Sequence, residues 1–208
     1  YGIPLHLSHT VVDIRGKERL TGVVIAQCGE DLRPIPGTEQ EIACDTLILS
    51  VGLPPENELS LSAGVALDSR TGGALVDEYC QTGVEGIFAA GNALHVHDLV
   101  DYVSLEAEMM AESAAEYLYR KGLPACPLSV VAGLDVGHIV PQRVSGTRDF
   151  TLFLRVKKPM RQVSICVRQD GQDILRKTMR KALPAEMICL PIKAAKLNSH
   201  SDLEVTVL

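Results

Sequence analysis

Thr82-Gly83-Val84-Glu85-Gly86-Ile87-Phe88-Ala89-Ala90-Gly91-Asn92, with the apolar repeat that follows from Asp98 to Lys121, is the stretch on which the fold turns. Ile87–Ala90 reads as a short apolar strand that stops at a glycine. Downstream, Val100, Val103, Ala107, Met110, Ala111, Ala114 and Leu118 recur at three- and four-residue steps, the spacing of one helix face. Lys121-Gly122 supplies a basic last turn and a glycine stop. Strand, glycine, loop and long helix make a ligand-binding layout. A glycine at 91 lets a ligand approach the backbone, and the helix N-terminus offers free N–H groups and partial positive charge.

Upstream, Leu5–Ile14 and Leu20–Gln27 are β-rich runs joined by Arg15-Gly16-Lys17-Glu18-Arg19, a hairpin by alternation and β-branching. A Pro- and Gly-containing turn over Leu32–Thr38 precedes Glu41–Ala43. Cys44–Gly52 is a continuous apolar run, expected to be a strand buried on both faces of a parallel sheet. Pro54-Pro55 keeps a helix from starting at once. Val65-Ala66-Leu67 and Ala74-Leu75-Val76 flank a second hairpin-like turn, Asp68–Gly73.

The two stretches Cys44–Pro54 and Thr82–Asn92, in this order, resemble the FAD-dependent pyridine nucleotide-disulfide oxidoreductase family, in the group lacking the redox dithiol. The resemblance covers roughly residues 1–122. It implies that the opening hairpin is the tail of an NAD-binding domain and that Cys44–Pro54 returns the chain to an FAD domain. Thr82–Asn92 then matches the second flavin motif, a Thr followed by a short strand and Gly-Asp. Asn92 stands where that motif has Asp, and an amide both donates and accepts. The implied cofactor contacts are Thr82, Gly91, Asn92, His97, Leu99, Val100 and Asp101. The backbone around Leu99–Asp101 would stabilise negative charge at the pyrimidine edge of a reduced flavin.

The Gly-x-Gly-x-x-Gly turns that hold the pyrophosphates of FAD and NAD occur nowhere between Tyr1 and Leu208. With the first residue Tyr rather than Met, the chain reads as a C-terminal piece of a longer protein, by itself expected to be inactive and a poor binder of FAD or NAD.

His95-Val96-His97-Asp98 is the most reactive-looking cluster, with Asp101 a turn further on. Two histidines and a carboxylate suit a metal, but no further ligand pair is recognisable and no metal is expected. The resemblance places His97 beside the flavin, as a proton donor or aromatic contact. The plainer alternative has Asp98 capping the helix and the histidines facing solvent or a domain seam. Glu106, Glu108, Glu112 and Glu116 punctuate the helix, the last three as an acidic stripe at four-residue spacing.

The 208 residues carry 20 Lys+Arg against 26 Asp+Glu, and the imbalance is uneven. Residues 1–126 hold 7 basic and 19 acidic side chains, residues 127–208 hold 13 and 7. Composition changes at Gly122-Leu123-Pro124-Ala125-Cys126-Pro127, and a domain boundary is expected there, giving 1–125 and 126–208. Opposite charges would favour docking of the two parts on each other or on a partner. The second part reads as a small all-β sandwich, with strands at Phe150–Val156, Val163–Arg168, Ile174–Thr178, Glu186–Ile192 and Leu203–Leu208. The fold class expected is therefore α/β, a partial FAD/NAD(P)-binding Rossmann-like domain, followed by that sandwich. Its basic residues invite a nucleic-acid reading, but Phe150 and Phe153 are its only aromatics and both sit in a core-like strand, so no nucleic-acid partner is expected. No apolar run reaches the roughly 18–20 residues of a membrane span. Six cysteines without a Cys-x-x-Cys pair read as reduced, buried thiols of a cytoplasmic protein.

These readings converge on part of a flavoprotein in which hydride passes between a nicotinamide cofactor, NAD(P), and FAD. Its expected partners are the nicotinamide cofactor, a small-molecule or protein electron partner and a flavoprotein subunit, with self-association through an unpaired sheet edge. The competing class is a non-catalytic β-sandwich interaction module on an α/β scaffold.

Overall fold

The computed structural model describes residues Gly2–Leu208. They form two compact units, residues 1–52 and 53–208. In the first, β1 (His9–Arg15), β2 (Gly22–Gln27) and β3 (Gln40–Ala43) make an antiparallel sheet in that order. The hairpin expected from alternation is present, with a register shift between Val11 and Asp13. The central strand carries the burial: Gly22–Ala26 are buried, whereas β1 and β3 are largely exposed.

The run after β3 departs from expectation. Thr46–Gly52 belongs to no strand, and Ile48 and Val51 are 87% and 86% exposed. A doubly buried parallel strand needs a hydrogen-bonding neighbour on each side and a layer on each face. None of the described strands pairs with this run, so its β-propensity has no ladder to join. The same cause reduces Ile87–Ala90 to one bridge, Phe88 to Gln81. The chain is thus mostly β, and the α/β character expected of residues 1–125 survives chiefly in its long helix.

The second unit opens with the short helix α1 (Glu58–Ser62) and the turn around Asp68–Gly73, where Leu67 bridges Ala74 as expected. The long helix α2 (Val100–Arg120) ends at Lys121 in the left-handed region, φ 58°, with the Lys121 N–H donating to Tyr117 O. Seven strands with one apolar core precede the final one: β4 (Leu128–Ala132), β5 (Val136–Val140), β6 (Arg143–Val144), β7 (Phe150–Val156), β8 (Met160–Gln169), β9 (Gln172–Ala182) and β10 (Ile188–Ile192), closed by β11 (Leu203–Val207). They form a three-stranded sheet, β10-β7-β5, and a five-stranded sheet, β6-β4-β11-β8-β9. Inward residues of both, among them Leu152, Leu154 and Leu190 from one and Ile165, Val167 and Val205 from the other, share one hydrophobic core. Alternation placed these side chains on one face of each strand, and burial removes them from water.

The boundary expected at 125/126 lies inside this second unit. Val65, Ala74, Val76 and Leu94 form a second core with Val140, Phe153 and Met187, so apolar packing joins the two sides of that boundary. Two ion pairs cross it as well, Asp98 to Arg155 at 3.6 Å and Glu116 to Arg148 at 4.0 Å. All six cysteines are free, but only Cys80 and Cys166 are buried; the other four are half-buried. Among the described residues no helix is long and apolar enough to cross a membrane.

Buried Asn57 ties the start of the unit to the loop before α2. Its Nδ2 donates to Gly72 O at 3.0 Å and Ala93 O at 2.7 Å, while its Oδ1 accepts from Ser60 Oγ at 2.8 Å. Replacing it with alanine leaves two carbonyls without their donor. Asn57→Ala is expected to destabilise the chain by about 2 kcal/mol, read as a lower urea midpoint at unchanged slope.

Candidate functional site

The loop between Ala90 and α2 builds its site around one carboxylate. Glu106, on the second turn of α2, is 2% exposed and accepts three hydrogen bonds. The backbone N–H of Gly91 donates to Oε2, His95 Nε2 lies 2.7 Å from Oε1, and His97 Nε2 lies 3.1 Å from Oε2. The two imidazoles meet edge to face with centroids 4.5 Å apart, and Phe153 of β7 closes on both. Burial pushes the Glu106 carboxyl up, but the hydrogen bonds and positive potential of His95 and His97 outweigh it and hold the group at about 2. Glu106 is therefore an anion at neutral pH.

Backbone shape delivers these groups. Gly91 adopts φ 65°, and a Cβ there would stand 3.2 Å from Val103 Cγ1. Gly91–Ala93 makes a single 3₁₀ turn, Asn92 Oδ1 accepts from the His97 N–H at 3.1 Å, and the loop folds back over α2. Asp98 does not cap the helix. The N-cap is Leu99, extended and without a side-chain cap, while Asp98 pairs with Arg155 and accepts from Met187 N–H at 3.4 Å.

Beside the histidines opens a cavity of about 430 Å³ lined by Arg70, Thr71, His95, Val96, His97, Asp98, His138 and Arg155, with Leu53 and Ala185. Arg70 donates to Gly137 O at 2.9 Å, and Arg155 to Val96 O at 2.8 Å and Pro184 O at 3.0 Å, so both guanidiniums are held by backbone. His138, on β5, is held near pKa 4, first by burial and then by the positive potential of His95 and Arg155. Its folded pKa lies below the ordinary 6.5, so the unfolded chain takes the proton first. Stability from neutral His138 is complete above 6.5 and is lost as pH falls through 4. Substituting His138→Leu is expected to flatten that part of the acid limb by on the order of 2 kcal/mol, as seen in urea midpoints taken at half-unit pH steps with chelator present.

The residues expected to touch a cofactor divide into three groups. Asn92, Leu99, Val100 and Asp101 are exposed around the uncapped N-terminus of α2. Gly91 is buried with its N–H on Glu106, and His97 turns its ring inward to the same carboxylate. Thr82 is apart from both. It is buried, bonds to Val84 on both sides of its hydroxyl, and lines a different cavity with Asp77, Gln81, Tyr117 and Arg143.

Glu106 and His138 escaped the sequence reading. For Glu106 a signal existed: it shares a helix face with Val103, Ala107 and Met110, and a carboxylate on an apolar stripe demands partners. The stripe of Glu108, Glu112 and Glu116 does stay outside the core, with Glu116 paired to Arg120 at 3.1 Å. For His138 no local pattern pointed inward.

With the glycine, the loop and the helix N-terminus described, the chain can be set beside known proteins. The profile of the pyridine nucleotide-disulphide oxidoreductase family matches residues 1–115, and the chain belongs to that family. It is 27% identical over 141 residues to a dihydrolipoyl dehydrogenase of Pseudomonas aeruginosa, covering 64% of this chain and 28% of the relative. It is 25% identical over 135 residues to the ferredoxin reductase component of a chlorobenzene dioxygenase of a Cupriavidus species, covering 62% of this chain and 30% of the relative. The chain thus spans less than a third of either relative's length.

Proposed function

We propose that these residues are part of an FAD-dependent, NAD(P)-linked oxidoreductase and supply the flavin end of its cofactor site. The family match across residues 1–115 carries this reading. The donors available suit that end of the molecule. Asn92 is exposed, with its Oδ1 engaged by His97 N–H and its amide donor facing no bonded partner among the described residues. That donor suits a ribityl hydroxyl. The first-turn N–H groups at Leu99, Val100 and Asp101 suit the pyrimidine edge, where negative charge gathers on reduction. Gly91, fixed by Glu106, has no side chain to keep a ring system off the loop, and His97 and Thr82 complete the proposed set of contacts.

When bound, FAD supplies the hydride chemistry, and NAD(P)H and an electron partner of small-molecule or protein kind complete the cycle. This chain's residues would orient the flavin and stabilise charge, and the Gly-x-Gly-x-x-Gly turn that holds its pyrophosphate is not among them. Alone, the chain is accordingly proposed to be inactive. The β-rich residues 126–208 read as a sandwich domain appended to the nucleotide-binding part, in a cytoplasmic protein. Exposed Ile48, Leu49 and Val51 favour self-association or covering by a flavoprotein partner.

The test is the visible absorption spectrum of the full-length protein that carries these residues. A bound flavin spectrum bleached by NADH or NADPH is the expected result, with Asn92→Ala lowering flavin retention. A folded, colourless protein that ignores added FAD would overturn the reading.

A further inference from the structure

We propose that His95, His97 and Glu106 form a binding site for one divalent transition-metal cation of the zinc type. One ring nitrogen from each histidine and one carboxylate oxygen lie within 4.8 Å of one another. Two imidazoles and a carboxylate are a donor set that zinc accepts, and they leave coordination positions for water or another ligand. The hydrogen-bonded pairs, at 2.7 and 3.1 Å, are closer than ligands of a shared ion. Atoms about 2.0–2.2 Å from one tetrahedral zinc stand roughly 3.4 Å apart, so on binding the histidine–carboxylate pairs open and the three ligand atoms, all within 4.8 Å of one another, settle to that common spacing.

Ligation through Nε2 requires each ring to carry its proton on Nδ1. Both Nδ1 atoms are buried and neither has a hydrogen-bond partner, so a proton moved there displaces no existing bond at Nδ1. The two bonds to Glu106 are exchanged for bonds through the metal. The N–H of Gly91 remains on Oε2, the outer support that a ligating carboxylate receives in metal sites. The cavity lined by His95, His97 and His138 lies next to the ligand set, whose side chains are closed to solvent, so an entering ion comes from that side with a local movement of the loop. The site consists of this chain's own side chains and does not rest on the flavin reading.

The chain, stripped with EDTA and dialysed, is titrated with Zn(II) by calorimetry and with Co(II) by visible absorption. One equivalent is expected to bind, to raise the melting temperature, and to give Co(II) bands of low coordination number. Affinity is expected to fall at least about tenfold in His97→Ala and in His97→Gln, which keeps a polar side chain and leaves the His95–Glu106 bond in place. In the unsubstituted chain, ring-proton NMR signals of His95 and His97 are expected to shift on binding, a readout that needs no variant to fold. Absence of stoichiometric binding, equal affinity in the His97 variants, or shifts confined to other histidines would each overturn the proposal.

Discussion

Glu106→Ala is expected to destabilise the chain by about 3–5 kcal/mol, a large share of the roughly 5–15 kcal/mol that holds an ordinary domain folded. The side chain is 2% exposed and is the common acceptor for His95, His97 and the Gly91 N–H. Its removal leaves two buried imidazoles and a backbone donor with nothing to bond and opens a cavity where the side chain stood. Glu106→Gln is expected to cost less, about 1–3 kcal/mol. An amide oxygen still accepts one bond, but its NH₂ meets a second imidazole that must then become an acceptor. Chemical denaturation in the presence of chelator gives both values, and equal losses for alanine and glutamine would refute the account of one carboxylate serving three donors. Acid acts in the same direction. The folded carboxyl titrates near 2 against an ordinary 4.5, so its stabilisation is complete above 4.5 and disappears as pH falls toward 2.

The second large effect belongs to a residue with no chemistry of its own. In Gly73→Ala the new Cβ would stand 1.6 Å from Leu94 O and 2.4 Å from Leu94 C. Both are backbone atoms and cannot swing aside, so the 68–73 turn must separate from the loop that carries His95. The expected cost is about 3 kcal/mol or more, with loss of the edge-to-face contact between His95 and His97. Neighbouring Gly72 is the control. Its φ is +73°, yet a Cβ there meets nothing nearer than Pro55 Cδ at 3.8 Å. Gly72→Ala is therefore expected to cost only about 1 kcal/mol, through backbone strain alone. A Gly73 variant as stable as the Gly72 variant would show that the turn does not rest on Leu94.

Much of this architecture was legible in the chain. The three- and four-residue apolar steps placed α2 to within two residues at its start and one at its end, because helix periodicity and a glycine stop are local properties. Alternation found the strands from Phe150 onward for the same reason, although β8 and β9 run longer than their apolar cores suggested. The apolar runs at 46–51 and 87–90 misled because β-propensity states only a readiness to pair. No described strand lies beside them, and a strand without a neighbour is not a strand.

The site divides along the same line. Sequence by itself determined that a glycine stop, an Asn and a helix N-terminus follow one another at 91, 92 and 99, that two histidines stand two residues apart, and that the family is the pyridine nucleotide-disulphide oxidoreductases. Only the tertiary structure decided that His95 and His97 face inward rather than toward solvent, and that Glu106, unlike the acidic stripe on the same helix, turns inward to hold them. It also brought His138 and Arg155, from strands far along the chain, to the wall of the same cavity. The reason is energetic. A charge on a helix carries no sign of whether water or protein will solvate it, and that choice is made only when packing removes the water and a partner must take its place.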